Sequence, residues 1–110
     1  MAKPSPSERR ERVRAIAPKL VEVIDTTVYG DIWERPGLSK RDRSLITIAA
    51  LVAMVRPEQL VGHLNRGVGN GLTRDEISEV ITHLAVYAGF PAALTAAHVA
   101  ADVLIDGRQV

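Results

Sequence analysis

Three histidines, at positions 63, 83 and 98, supply the acid/base capacity of this chain near neutral pH, because imidazole is the side chain that ordinarily titrates there. His63 has the most suggestive neighbours. On a helix at 100° per residue, Arg56, Gln59, His63, Arg66 and Asn70 fall within one sector about 80° wide. Leu60, Val61, Leu64 and Val68 take the neighbouring sector and should face a core. His63 is thus expected at the border between a polar stripe and a buried one. An imidazole between two guanidinium groups would sit where carboxylates bind, with its pKa depressed, as a neutral base or a weakly held proton. The same stripe also reads as the wet face of an amphipathic helix, and pattern alone leaves both readings open.

Other candidates are weaker. Glu76, Val80, His83 and Tyr87 share a second stripe, so His83 is either a further pocket residue or a packed or surface histidine. His98 lies among alanines and is assigned no role. Arg41, Asp42 and Arg43 open a helix, where ionic contacts are commonly structural. The histidines stand 20 and 15 residues apart with no close pair, which is not a metal-ligand spacing. Gly67, Gly69 and Gly71 follow a helix rather than leading from a strand into one, so they form no phosphate loop. With no cysteine, disulfides, thiolate metal sites and thiol catalysis are excluded.

The elements that must position these groups are helical throughout. Pro18 suits a first helical position, with Leu20, Val21, Ile24 and Val28 at helical spacing and Gly30 as the stop. Pro36 and Gly37 mark a turn. Ser39, with Asp42 three residues on, opens a helix over roughly 40–55. That helix is apolar on almost every side from Leu45, which predicts a place at the centre of a bundle. Pro57 opens the helix that carries His63. Thr73 and Glu76 form a capping box for a helix reaching about Ala88. Gly89-Phe90-Pro91 stops it, and Pro91 starts an Ala-rich last helix to about Ile105. Nothing alternates as a strand would. The fold class is all-α, a compact bundle of about five to six helices.

At 110 residues one domain is expected, residues 18–110, behind a short charged segment, 1–17, read as a frayed or solvated helix. Hydrophobic residues make up 46% of the chain, much of it for so small a core, which points to burial against further copies of itself. The net charge of +1 gives no field for nucleic acid or an anionic membrane. The longest apolar run, residues 45–55, is too short to cross a bilayer. A charged N-terminus does not read as a signal peptide, so a cytoplasmic location is expected.

Three ordered blocks, RPGLSKRDRSLITIAAL, HLNRGVGNGLTRDEISEVI and HLAVYAGFPAAL, together resemble the carboxymuconolactone decarboxylase family. The resemblance covers about residues 18–105 and is greatest to the branch that decarboxylates 4-carboxymuconolactone in aromatic degradation. It implies a bundle of the alkyl hydroperoxide reductase D type. The peroxidases of that superfamily carry a Cys-x-x-Cys pair ahead of a histidine and an acidic residue one helix earlier. Counted from His63, those places hold Arg56, Gln59 and about Ser44, which excludes peroxidase or disulfide-reductase chemistry.

What remains implied is decarboxylation without a cofactor. The departing carboxylate is conjugated to a lactone carbonyl, so the substrate is its own electron sink. The resemblance assigns the proton to His63, and carboxylate binding to Arg43 or Arg66. Arg56 or Gln59 would support them, and Ser44 and His83 would complete the substrate-binding set. It also implies a homo-oligomer, a trimer or hexamer. Arg56-Pro57 stands where a small residue followed by a polar one is expected, which would reshape the pocket mouth. A related lyase or isomerase on another small carboxylate or lactone, and a non-catalytic oligomer that binds a ligand, are the alternatives.

Overall fold

The computed structural model describes residues 5–109. Among them are six α-helices, with one π-helical and one 3-10 turn, and no strand, so the all-α expectation holds. The chain divides into two compact units, with the boundary between Lys40 and Arg41.

In the first unit, α1 (Pro6–Ile16) and α2 (Pro18–Val23) precede the π-helical turn Ile24–Tyr29 and the 3-10 turn Ile32–Glu34. α1 buries none of its residues, which agrees with the solvated reading. It is nevertheless not frayed at its start. Ser5 Oγ accepts from the Glu8 N–H at 3.2 Å, and Glu8 Oε2 accepts from the Ser5 N–H at 3.1 Å. This capping box satisfies two donors that a bare helix end leaves open. Arg10 and Arg14 then both pair with Asp25, fastening the charged helix to the π turn.

The π turn has a local cause. Thr26 Oγ1 donates to the Glu22 carbonyl at 2.8 Å, competing with the main-chain N–H that an α-helix would aim there. Gly30 closes the turn as expected. A Cβ at that position would lie 2.6 Å from the Thr26 carbonyl oxygen and 2.8 Å from that of Asp25.

The second unit holds α3 (Lys40–Ala53), α4 (Pro57–Gly69), α5 (Arg74–Ala88) and α6 (Phe90–Leu104). α6 packs on both α4 and α5. It buries Ala92, Ala93, Ala96, Val99, Ala100 and Val103, since alanine lets helix backbones approach closely. α6, not α3, is therefore the central helix of this unit, a correction to the sequence reading. α3 buries a single face, Ser44, Ile48 and Val52, while Ile46 on the opposite face is 55% exposed. Apolarity on every side signals burial only when something is present to cover every side.

The tail returns to the bundle through Arg108. Its guanidinium approaches Asp102 at 3.6 Å and Glu58 at 3.8 Å, and its carbonyl accepts from Asn65 Nδ2 at 3.3 Å. These contacts join the ends of α4 and α6. Among the described residues, no helix is long and apolar enough to cross a membrane.

Candidate active site

α4 begins at Pro57, whose missing N–H costs nothing at a first helical position. From there the 3.6-residue repeat buries Leu60, Val61, Leu64 and Gly67. Val68, expected in the core, is 47% exposed instead. It lies in the last turn, and Gly67 takes the buried place beside it. His63 stands between the two faces and is half-buried, as its position in the stripe requires.

The stripe is shorter than the repeat suggests, because its two ends lie outside the helix. Arg56 is the residue before α4, with φ −120° and ψ 70°. Its guanidinium donates to the Met54 carbonyl at 3.2 Å, turning back toward the preceding loop. Asn70 follows the last turn, and its amide donates to Ser44 Oγ at 3.0 Å. Gln59, His63 and Arg66 remain as the helical part of the stripe, with Gln59 and Arg66 exposed.

Burial holds the His63 pKa below its ordinary 6.5, and the positive Arg66 guanidinium one turn on pushes it the same way. Both causes disfavour the imidazolium: one removes water from the charge and the other repels it. At neutral pH the ring is therefore uncharged beside a cation. That pairing can receive an anion, whose negative charge would favour the imidazolium.

This shift has a consequence for stability. The unfolded chain, with an ordinary histidine, takes up its proton before the folded one does. The contribution of neutral His63 is complete above pH 6.5. It is lost as pH falls from there toward the lowered folded value. Urea midpoints measured from pH 8 to pH 5 should fall, and the fall should be smaller in His63→Gln. Equal slopes in the two proteins would show that the ring carries no burial penalty.

The remaining candidates are spread over two other helices. Arg43 is half-buried in the first turn of α3. Ser44, next to it, is 0% exposed and occupied by Asn70, so its hydroxyl is out of reach of a dissolved substrate. His83 is exposed on α5, with its ring 4.9 Å from that of Tyr87. Among the described residues, no group of histidines and acids is placed to hold a metal ion.

Sequence reasoning gave Glu76 its capping role but missed its pairing with Arg41. Glu76 is the third residue of α5, and its Oε1 accepts from the Thr73 N–H at 2.9 Å while its Oε2 pairs with Arg41. The capping box was legible. A signal for the second role was also present, since a capping carboxylate spends one oxygen on the helix and keeps the other for a cation.

Comparison with known proteins bears on this arrangement. The model of the carboxymuconolactone decarboxylase family matches residues 18–102. Over 83 residues the chain is 45% identical to the 4-carboxymuconolactone decarboxylase of Acinetobacter baylyi, covering 76% of this chain and 62% of that protein. Over 85 residues it is 34% identical to the nitrosuccinic acid decarboxylase of Metarhizium robertsii, covering 77% and 59% respectively. The chain thus matches about six-tenths of the length of these curated relatives.

Proposed function

The chain belongs to the carboxymuconolactone decarboxylase family, and we propose that it is a cofactor-independent carboxy-lyase acting on 4-carboxymuconolactone in aromatic degradation. The observation that carries this reading is a half-buried histidine of lowered proton affinity with a cation beside it, inside the family segment.

The chemistry follows from the substrate. When the bond to the departing carboxylate breaks, its electron pair moves through the ring double bond onto the lactone carbonyl oxygen. Carbon dioxide leaves, and a dienolate of furan character remains. A proton then forms a C–H bond at the carbon next to the carbonyl, giving the enol-lactone of 3-oxoadipate. The protein must hold the acid, stabilise the enolate oxygen and deliver that proton.

His63 is the proton donor in this scheme. A substrate bearing two carboxylates would offset the Arg66 charge and raise the imidazole pKa in the complex, so that binding loads the proton that catalysis spends. Arg43 and Arg66 hold the carboxylates, and Gln59 or Arg56 supports them. His83 would be a peripheral contact.

The Arg56-Pro57 pair, a departure from the expected family pattern, favours a second reading, decarboxylation of a different small carboxylate. The nitrosuccinic acid decarboxylase is compatible with it, since a nitro group is also an electron sink next to a departing carboxylate. Loss of absorbance from freshly generated carboxymuconolactone tests the first reading. Turnover supports it. Inactivity, with turnover of nitrosuccinate or another activated dicarboxylate, supports the second. Inactivity on all of them leaves a ligand-binding protein.

A cytoplasmic homo-oligomer, a trimer or hexamer, goes with this proposal. Val86, Tyr87, Phe90 and Leu94, on neighbouring stretches of α5 and α6, are 76%, 76%, 70% and 59% exposed. Val86, Phe90 and Leu94 line an apolar groove of about 320 Å³. Surface of this kind is usually an interaction site. Sedimentation should give several chains per particle, and Phe90→Glu with Leu94→Glu should reduce that number. A wild-type monomer at micromolar concentration would refute assembly.

A further inference from the structure

Two polar ties fasten the first turn of α3 to the corner between α4 and α5, and they lie on either side of Arg43 in sequence. Asn70 Nδ2 donates to Ser44 Oγ over 3.0 Å. Arg41 Nη2 donates to Glu76 Oε2, while the other oxygen of Glu76 caps α5. The seam beneath them is close packed. A methyl group on Gly67 would meet Ile48 Cδ1 at 3.0 Å, Leu72 Cδ1 at 3.1 Å and Ser44 Cβ at 3.7 Å. A side chain at Gly67 would thus crowd the tips of Ile48 on α3 and of Leu72, which would have to shift by a few tenths of an ångström.

Asn70 is itself well anchored. Its backbone N–H reaches the carbonyls of Arg66 at 2.9 Å and Gly67 at 3.1 Å, closing the last turn of α4. Its amide therefore projects from a fixed root. Ser44 has no exposed surface, so the bond is shielded from water on that side and sets the register of the two helices.

We propose that Asn70 and Ser44 are positioning residues of the candidate site, fixing Arg43 on α3 relative to His63 and Arg66 on α4 and so selecting the spacing of the carboxylates that bind. The functional consequence rests on the decarboxylase reading above, whereas the coupling between the helices does not. A helix moves as a rod, so any slide of α3 along α4 carries Arg43 with it. Such a slide changes the spacing between the cations and weakens the hold on a dicarboxylate that fits the original spacing.

The test uses Ser44→Ala and Asn70→Ala, separately and combined, in the full chain. Each single variant should raise KM for the dicarboxylate by about tenfold, with kcat changing less. The double variant should be no worse than either single one, because both remove the same bond. The His63 titration, followed by NMR of its ring protons, should move toward the ordinary histidine value as the seam loosens and water reaches the ring. A folded Ser44→Ala protein with wild-type KM and wild-type His63 titration, changed only in unfolding temperature, overturns the proposal. If Asn70→Ala does not fold, Ser44→Ala decides alone. If the wild-type chain turns over no dicarboxylate, the decarboxylase reading fails. The titration then decides the coupling, and an unmoved His63 overturns it.

Discussion

Replacing His63 by glutamine is expected to lower decarboxylation by about 10²- to 10³-fold while leaving the helical fold intact. Glutamine keeps a polar group of similar reach at the border of the buried face but cannot carry a transferable proton. The loss should fall on kcat, since the proton is needed after carbon dioxide has left, with KM little changed. In the wild-type protein, kcat/KM should titrate with a group below pH 6.5, the direction in which burial and Arg66 move the imidazole. That titration should be missing in His63→Gln. A glutamine variant with full turnover would remove the histidine from the mechanism, whatever the substrate.

The next residue should behave in the opposite way. Leu64 is 0% exposed on the core face of α4, and Leu64→Ala would remove three carbons from a packed interior. Such truncations cost about 2–5 kcal/mol. Small domains are stabilised by only about 5–15 kcal/mol in total, so the midpoint in urea should fall steeply. Where the variant still folds, its pH profile should keep the His63 signature. Chemical denaturation checks the first expectation, and a loss under about 1 kcal/mol would mean that the site collapses freely around the missing atoms. Adjacent residues thus separate the two duties of one helix. A 100° step takes the chain from the chemical border to the core.

The helix boundaries were the most legible part of the fold. Pro18, Pro57 and the Thr73/Glu76 box begin helices where the sequence places them, because a missing N–H or a capping oxygen acts within a few residues. Gly30 ends its helical run for an equally local reason. The stripe holding His63 was legible as far as the helix itself extends. It misled at Arg56 and Asn70, since periodicity cannot say that a residue has left the helix and turned its side chain to another partner.

Which helix is central was not legible. α3 is apolar on almost every side only from Leu45 onward, whereas α6 is apolar over nearly its whole length and holds the middle of its unit through its alanines. Hydropathy measures what a face tolerates, whereas centrality depends on which faces can come close. Ser44 shows the same limit. Its sequence position suggested a place beside a ligand, but packing gave it to Asn70.

The sequence by itself determined the all-α class, the starts of the helices, the absence of thiol chemistry and the family. These depend on residue type and on contacts within a turn or two. Only the tertiary structure decided that Asn70 occupies Ser44 and that Glu76 pairs with Arg41. Such facts depend on groups 26 and 35 residues apart in the chain, which meet only when α3 comes up to the corner between α4 and α5. No local pattern encodes that approach.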